Sequence, residues 1–257
     1  MNNDRILTTP SSQQEKKEPG IVDQEAELAS ITASMVHDLQ APLRSLTMFT
    51  ELLAQEYQAE LDDQAQQYLS RIADSGSRIQ TLIEELLAYS RAGRAEQTWV
   101  TVDFNQVIEK VKLNLQSEIA KTNATITVQK LPQLLVNPQE LQQLWQNLLE
   151  NALKYSAETT PKIEISASTQ GQEWLFAIAD NGIGIAPEFH RQIFEVFQRL
   201  HSRDAYPGHG IGLAICTKIV KRYGGKIGVE SQVGFGSTFY FTLPMNTCPQ
   251  PPLPLTS

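Results

Sequence analysis

The stretch EWLFAIADNGIGI (173–185) decides how the second half of the chain is read. Its first part alternates apolar and polar positions, the period-two pattern of a half-buried strand. Its second part, DNGIGI, is too rich in glycine to continue that strand. Asp180 closes the run, and Gly182 and Gly184 let backbone approach a flat ring closely. A carboxylate at this point is placed to accept a hydrogen bond from an exocyclic amine. A simple Asn-Gly turn fits the same residues.

Working outward, KIEISAS (162–168) has the same alternation and reads as the partner strand. WVTVDF (99–104), TITVQK (125–130) and LLVN (134–137) read as short strands. Helices are expected over 105–121, over 139–154 behind Pro138, and near 187–195 and 211–222. KIGVES (226–231) and STFYFTL (237–243) close as a hairpin across QVGFG (232–236). Strands in one layer and helices in the other make an α/β sandwich.

The first half is different. Leu28, Ile31, Met35, Leu39, Leu46 and Leu53 recur at threes, fours and sevens, the stripe of an amphipathic helix ending near Tyr57. QAELDDQ (58–64) supplies a short joint, with Asp62 or Asp63 as N-cap. Tyr68, Ile72, Ile79, Leu82, Leu86 and Leu87 form a second stripe. The pair reads as an antiparallel hairpin, and the whole chain as α+β. One hairpin cannot bury its own stripe well, and pairing into a four-helix bundle is the natural remedy; a coiled-coil linker has the same periodicity. The expected division is a disordered segment 1–23, a helical domain 24–92, a linker 93–97, an α/β domain 98–245 and a proline-rich tail 246–257.

The chain has 257 residues, room for one large domain or two small ones. Its net charge of −8 speaks against nucleic acid or an anionic membrane as main partner. Two cysteines, Cys216 and Cys248, make neither a disulfide framework nor a zinc cluster. No apolar run approaches the roughly 18 residues needed to cross a bilayer. The N-terminus has no signal-peptide pattern. A cytoplasmic protein without membrane insertion is expected.

Four pieces of the second half read as one site. In NLLENALKYS (147–156), Asn147, Asn151 and either Lys154 or Tyr155 share a helix face. Carboxamide oxygens suit Mg²⁺, and Lys154 can neutralise phosphate. A solvated polar face has the same spacing. DNGIGI (180–185) is the second piece. In GHGIGLAI (208–215), Gly208, Gly210 and Gly212 open a helix, where backbone N–H groups attract phosphates. GFGSTF (234–239) is the fourth.

These pieces, with HDLQAPL (37–43) before them and IFEVFQRL (193–200) among them, resemble the sensor histidine kinases of two-component systems, most of all their phytochrome-like group. The resemblance covers roughly residues 25 to 245. It implies a dimerisation and phosphotransfer hairpin followed by an ATP-binding domain of the gyrase–Hsp90–kinase type, with ATP and Mg²⁺ as ligands. By position it makes His37 the phosphoacceptor and Asp38 its acid/base neighbour. It gives Asn147 and Asn151 to the N box, with Asn151 holding Mg²⁺, Lys154 to phosphate and Tyr155 to the nucleoside. Asp180 becomes the adenine reader, with Gly182 and Gly184 beside it. Phe194 and Phe197 become lid anchors and Arg199 a lid arginine for the γ-phosphate. Gly208, Gly210, Gly212 and Leu213 form the second glycine box.

The implied reaction is autophosphorylation of His37, then transfer to an aspartate of a response-regulator receiver domain. A homodimer is implied, and with no sensor domain expected in the chain, input can come from a sensor protein in trans. Two further readings compete: a dimeric scaffold that binds ATP without turnover, and a gyrase-type ATP hydrolase. Asn147 opposes the second, because an amide cannot serve as general base for water. Two positions depart from the family pattern. Ala41 stands where many members carry Thr or Asn, and His209 where Thr or Ser is usual. Pro42 removes the N–H that would bond the carbonyl of Asp38, so a bend beside the phosphoacceptor is expected.

Overall fold

The computed structural model describes residues 21–92, 99–156, 160–200, 206 and 208–245, without the side chains of 21–35, His37 and Asp38. Residues 1–20, the linker 93–97 and the tail 246–257 lie outside the described residues. Two long helices come first, α1 (Ile21–Glu56) and α2 (Asp63–Arg91). Residues 21–23, expected in a disordered segment, are the first turn of α1. The helix runs through Pro42 without interruption. Asp62 is the N-cap of α2, its carboxylate accepting from Ala65 N at 2.7 Å.

The helices pack as an antiparallel hairpin. Gly76 of α2 is buried against Thr47 of α1, where a Cβ would strike the threonine hydroxyl. Thr47 and Thr50 turn their hydroxyls back to the carbonyls of Leu43 and Leu46. The heptad residues Leu39, Leu46 and Leu53, and Tyr68, Ile72 and Ile79 opposite, remain 45–55 % exposed. The single hairpin thus leaves these positions of its apolar stripe uncovered, whereas Leu82, Leu86 and Leu87 are half-buried.

The remaining elements are β1 (Val100–Asp103), α3 (Phe104–Asn114), α4 (Gln116–Thr122), β2 (Thr125–Val128), β3 (Gln133–Val136), α5 (Pro138–Lys154), β4 (Lys162–Gln170), β5 (Glu173–Asp180), α6 (Gly212–Arg222), β6 (Ile227–Gln232) and β7 (Gly236–Pro244). One sheet has the order β2-β4-β5-β7-β6, antiparallel except for the β2–β4 pair. A separate ribbon joins β1 and β3. Helices α3, α5 and α6 lie over the large sheet. Phe104, Phe176 and Phe241 stack at 4.9 Å spacings, and Trp145 of α5 meets the last two edge-on at 6.0 and 5.3 Å.

Two expectations need correction. The helix expected over 105–121 is two helices, turning at Leu115. Leu115 is buried and continues the stripe of Val107, Ile108 and Val111, so the apolar period runs across the break unmarked. The helix expected near 187–195 is two 3₁₀ turns, Pro187–Phe189 and Gln192–Phe194. Only Ile193 is buried there, so no apolar stripe sustains longer helical packing.

Asn137 caps α5, accepting from Gln139 N and Glu140 N at 2.9 and 3.2 Å. Its own N–H donates to the Tyr223 hydroxyl at 2.9 Å, and that hydroxyl donates to Glu140 Oε2 at 3.1 Å. Arg222 closes the set on Glu140 Oε1 at 2.9 Å. This buried set ties the end of α6 to the start of α5. Tyr223→Phe leaves a buried N–H unpaired and is expected to lower stability by about 1–3 kcal/mol, read from urea unfolding with an unchanged denaturant slope.

Candidate functional site

A cavity of about 300 Å³ opens where the C-terminal part of α5, the end of β5 and the start of α6 converge. That volume is at the lower end of the range for small-molecule sites. Helix α5 positions its side by periodicity. Leu144, Trp145, Leu148, Leu149 and Ala152 face the core, while Asn147, Asn151 and Lys154 line the cavity. The side chain of Asn151 has no hydrogen-bond partner among the described residues. Asn147 donates through Nδ2 to the carbonyl of Gly212 at 3.2 Å, which joins α5 to the first turn of α6.

Asp180 is the last residue of β5, opposite Ser237 of β7. Its Oδ1 accepts from Gly182 N at 2.8 Å and Ser237 N at 3.1 Å. Oδ2 has no protein partner among the described residues, and the residue lines the cavity. The carboxyl is oriented by two backbone donors with one oxygen to spare. Burial raises its pKa above the ordinary value, and the bonds from Gly182 and Ser237 oppose that shift in part.

Lys154 Nζ lies 4.5 Å from the centroid of the Tyr155 ring. A Cβ on Gly208 would come within 2.8 Å of that ammonium. Tyr155 in turn lies against Tyr206, centroids 5.0 Å apart. Arg199 also lines the cavity and donates through Nη2 to the Tyr206 carbonyl at 2.8 Å. Gly210 has φ +76° and sits against the carbonyl of Gln198, so only glycine fits there. Gly208, Gly212 and Leu213 complete the loop at the N-terminus of α6.

Not all expected residues converge. Gly182 braces Asp180 from behind and is not a lining residue. Phe194 packs edge-on to Phe239 at 6.4 Å, whereas Phe197 is 56 % exposed with φ +65°. His37 and Asp38 stand on α1; no described lining residue comes from that helix. Other residues were not expected. Ser237 lay within GFGSTF, and its register opposite Asp180 marks it. Ile183, Ile185, Ile193 and Phe239 supply apolar walls. Glu85 and Ala88 of α2 also line the cavity, and nothing in the local pattern of α2 signals this.

A raised acid pKa has a definite linkage sign. As pH rises from the ordinary 3.8 through the folded value, the unfolded chain loses its proton first. The folded state then binds more protons, so stability falls with rising pH across that window. Asp180→Asn removes this loss while keeping an oxygen for both backbone donors. The variant's stability relative to the parent is expected to climb through the window and then level off. Denaturant unfolding at several pH values reads this; a difference independent of pH would contradict it.

Two family models match the chain. Residues 27–95 match the His Kinase A (phospho-acceptor) domain, and residues 136–247 the histidine kinase-, DNA gyrase B- and HSP90-like ATPase. Cyanobacterial phytochrome A of Nostoc sp. is 43% identical over 220 residues, covering 86% of this chain and 29% of that protein. The phytochrome-like protein Cph1 of Synechocystis sp. is 39% identical over 220 residues, with the same coverage. The chain thus spans less than a third of the length of these curated relatives. Among solved structures, full-length ShkA in complex with AMPPNP superposes with a TM-score of 0.67 at 26% identity, covering 86% of this chain and 47% of that one. With a phosphoacceptor hairpin and a kinase-type ATPase domain in that order, the chain belongs to the sensor histidine kinases.

Proposed function

We propose that the chain is an ATP-dependent protein-histidine kinase that phosphorylates His37 and passes the phosphoryl group to an aspartate of a response-regulator receiver domain. The observation that carries this is the convergence of Asp180, Asn147, Asn151, Lys154 and the α6 glycine loop on one cavity, in a chain whose helical hairpin carries His37. The functional division is a phosphotransfer domain over 24–92 and a catalytic domain over 98–245.

Each residue has a task its surroundings support. The spare oxygen of Asp180 accepts from the adenine amino group, while Gly182 and Gly184 let the carbonyls of Tyr155 and Gln232 pack close behind it. Tyr155 lies beside the nucleoside, and Lys154 beside the phosphates. The backbone N–H groups at the start of α6 face the same anion. Arg199, now bonded to a carbonyl, is within the wall and able to turn to the γ-phosphate. Leu213 lines the cavity beside the loop, and Phe194, edge-on to Phe239, anchors the segment before it, a role the exposed Phe197 does not share.

The residues present fit a magnesium ion, because the Asn151 carboxamide lines the cavity unused by protein and offers a hard oxygen. When bound, the ion neutralises charge on the phosphates. In the transfer, a neutral His37 nitrogen attacks the γ-phosphorus in line. The N–P bond forms as the bond to the β-phosphate oxygen breaks, and ADP leaves. Asp38 takes the ring proton. Asn147 has no basic atom for water, which favours histidine as acceptor.

The exposed stripe of the hairpin supports a homodimer, with Leu39, Leu46, Leu53, Tyr68, Ile72 and Ile79 as the seam. Among the described residues no helix is long and apolar enough to cross a membrane, which supports a cytoplasmic kinase. Its input comes from a sensor unit, in the same chain or in trans, and nucleic acid is not a partner.

Incubation with radiolabelled ATP is expected to give acid-labile protein label that His37→Gln abolishes. Asp180→Asn, with folding verified by denaturant unfolding, is expected to lose at least about tenfold in labelling rate. Label surviving in His37→Gln, or phosphate released without protein label, would sink the kinase reading. Ala41 has no hydrogen-bonding side chain to orient water, so slow receiver dephosphorylation is expected. Rapid receiver dephosphorylation by this chain would contradict that.

A further inference from the structure

Glu85 belongs to the helical hairpin, yet its side chain lines the cavity of the other domain. Its Oε1 lies 3.2 Å from Nδ1 of His209. The imidazole is 10% exposed and the carboxylate 30%. His209 is held between Gly208 and Gly210, both at positive φ, in the loop that opens α6. One helical turn further along α2, Tyr89 meets Lys218 of α6. The ammonium lies 4.1 Å from the ring centroid and 3.2 Å from the Tyr89 carbonyl oxygen. Ala88, between these two points, lines the cavity as well. Helix α2 is thus seated on α6 at two places, and the first is the glycine loop itself.

A carboxylate is the same kind of occupant that such a loop attracts, an anion at a helix N-terminus among free backbone N–H groups. We propose that Glu85 is an internal anion for the nucleotide pocket. It clasps His209 and competes with the phosphate groups of a nucleoside triphosphate. In the arrangement with α2 docked on α6, affinity for the triphosphate is lowered. The Glu85 carboxylate stands at the glycine loop that opens α6, so it repels phosphate groups seated at that same loop. Triphosphate binding therefore displaces Glu85 from His209 and loosens α2 from α6, whereas a ligand without phosphates leaves the clasp in place. His209 is the residue of the loop that makes this contact. The inference rests on the nucleotide reading of the cavity.

The test is calorimetric titration of the full chain with a non-hydrolysable ATP analogue plus Mg²⁺, and separately with adenosine. Glu85→Gln keeps the shape of the side chain and removes its charge. It is expected to bind the analogue about fivefold more tightly, with adenosine affinity unchanged within about twofold. Equal or weaker analogue binding in the variant overturns the internal anion. So does an equal gain for both ligands, since the gain would not then follow phosphate charge. Binding of neither ligand by parent or variant overturns the nucleotide reading, and the internal anion with it.

Discussion

The α/β half is organised around one packing constraint, the ring stack of Phe104, Phe176 and Phe241 closed by Trp145. All four are fully buried, and each comes from a different element: α3, β5, β7 and α5. Burial of such side chains contributes about 1.5–3 kcal/mol apiece, and ring geometry adds orientation to area. Phe176 and Phe241 are also partners in the β5–β7 register. The stack therefore fixes both how the strands pair and how α5 lies over them. With α5 held by Trp145, its polar edge has one place to go: the end of the sheet, where Asp180 and Ser237 stand opposite each other.

That placement explains why the site is built almost entirely from residues whose backbones are constrained. Asp180 is held by Gly182 N and Ser237 N, and Gly236 and Gly184 give room where neighbouring carbonyls press close. Asn147 bonds the carbonyl of Gly212, so the glycine loop is attached to the same helix that presents Asn151 and Lys154. The far end of α6 is pinned through Arg222 and Tyr223 to Glu140 at the start of α5. The two helices are joined at both ends, and the cavity lies at one of the joints.

Much of this was legible in the sequence, for identifiable reasons. Period-two alternation marked β4 and β5, and the polar spacing of Asn147, Asn151 and Lys154 marked one face of α5. The glycines around Asp180 and before α6 marked close approaches of backbone. Two kinds of feature escaped. The break at Leu115 is silent because a buried leucine keeps the apolar period intact across it. The 187–195 segment looks helical by composition, but a single buried Ile193 leaves it only short turns. The contribution of α2 to the cavity was invisible for another reason. Glu85 and Ala88 sit within an ordinary amphipathic pattern, and docking of one domain on another leaves no mark in local periodicity.

The double use of α5 has a thermodynamic consequence. The same helix carries Trp145 into the core and Asn151 to the cavity, so the pocket exists only when the core is formed. A ligand that fills it binds the folded chain and not the unfolded one. Its presence at a hundred times its dissociation constant would then add about 2.7 kcal/mol to folding stability. The melting temperature of this domain is in that sense a gauge of ligand concentration, and its folded population follows the supply of what it binds.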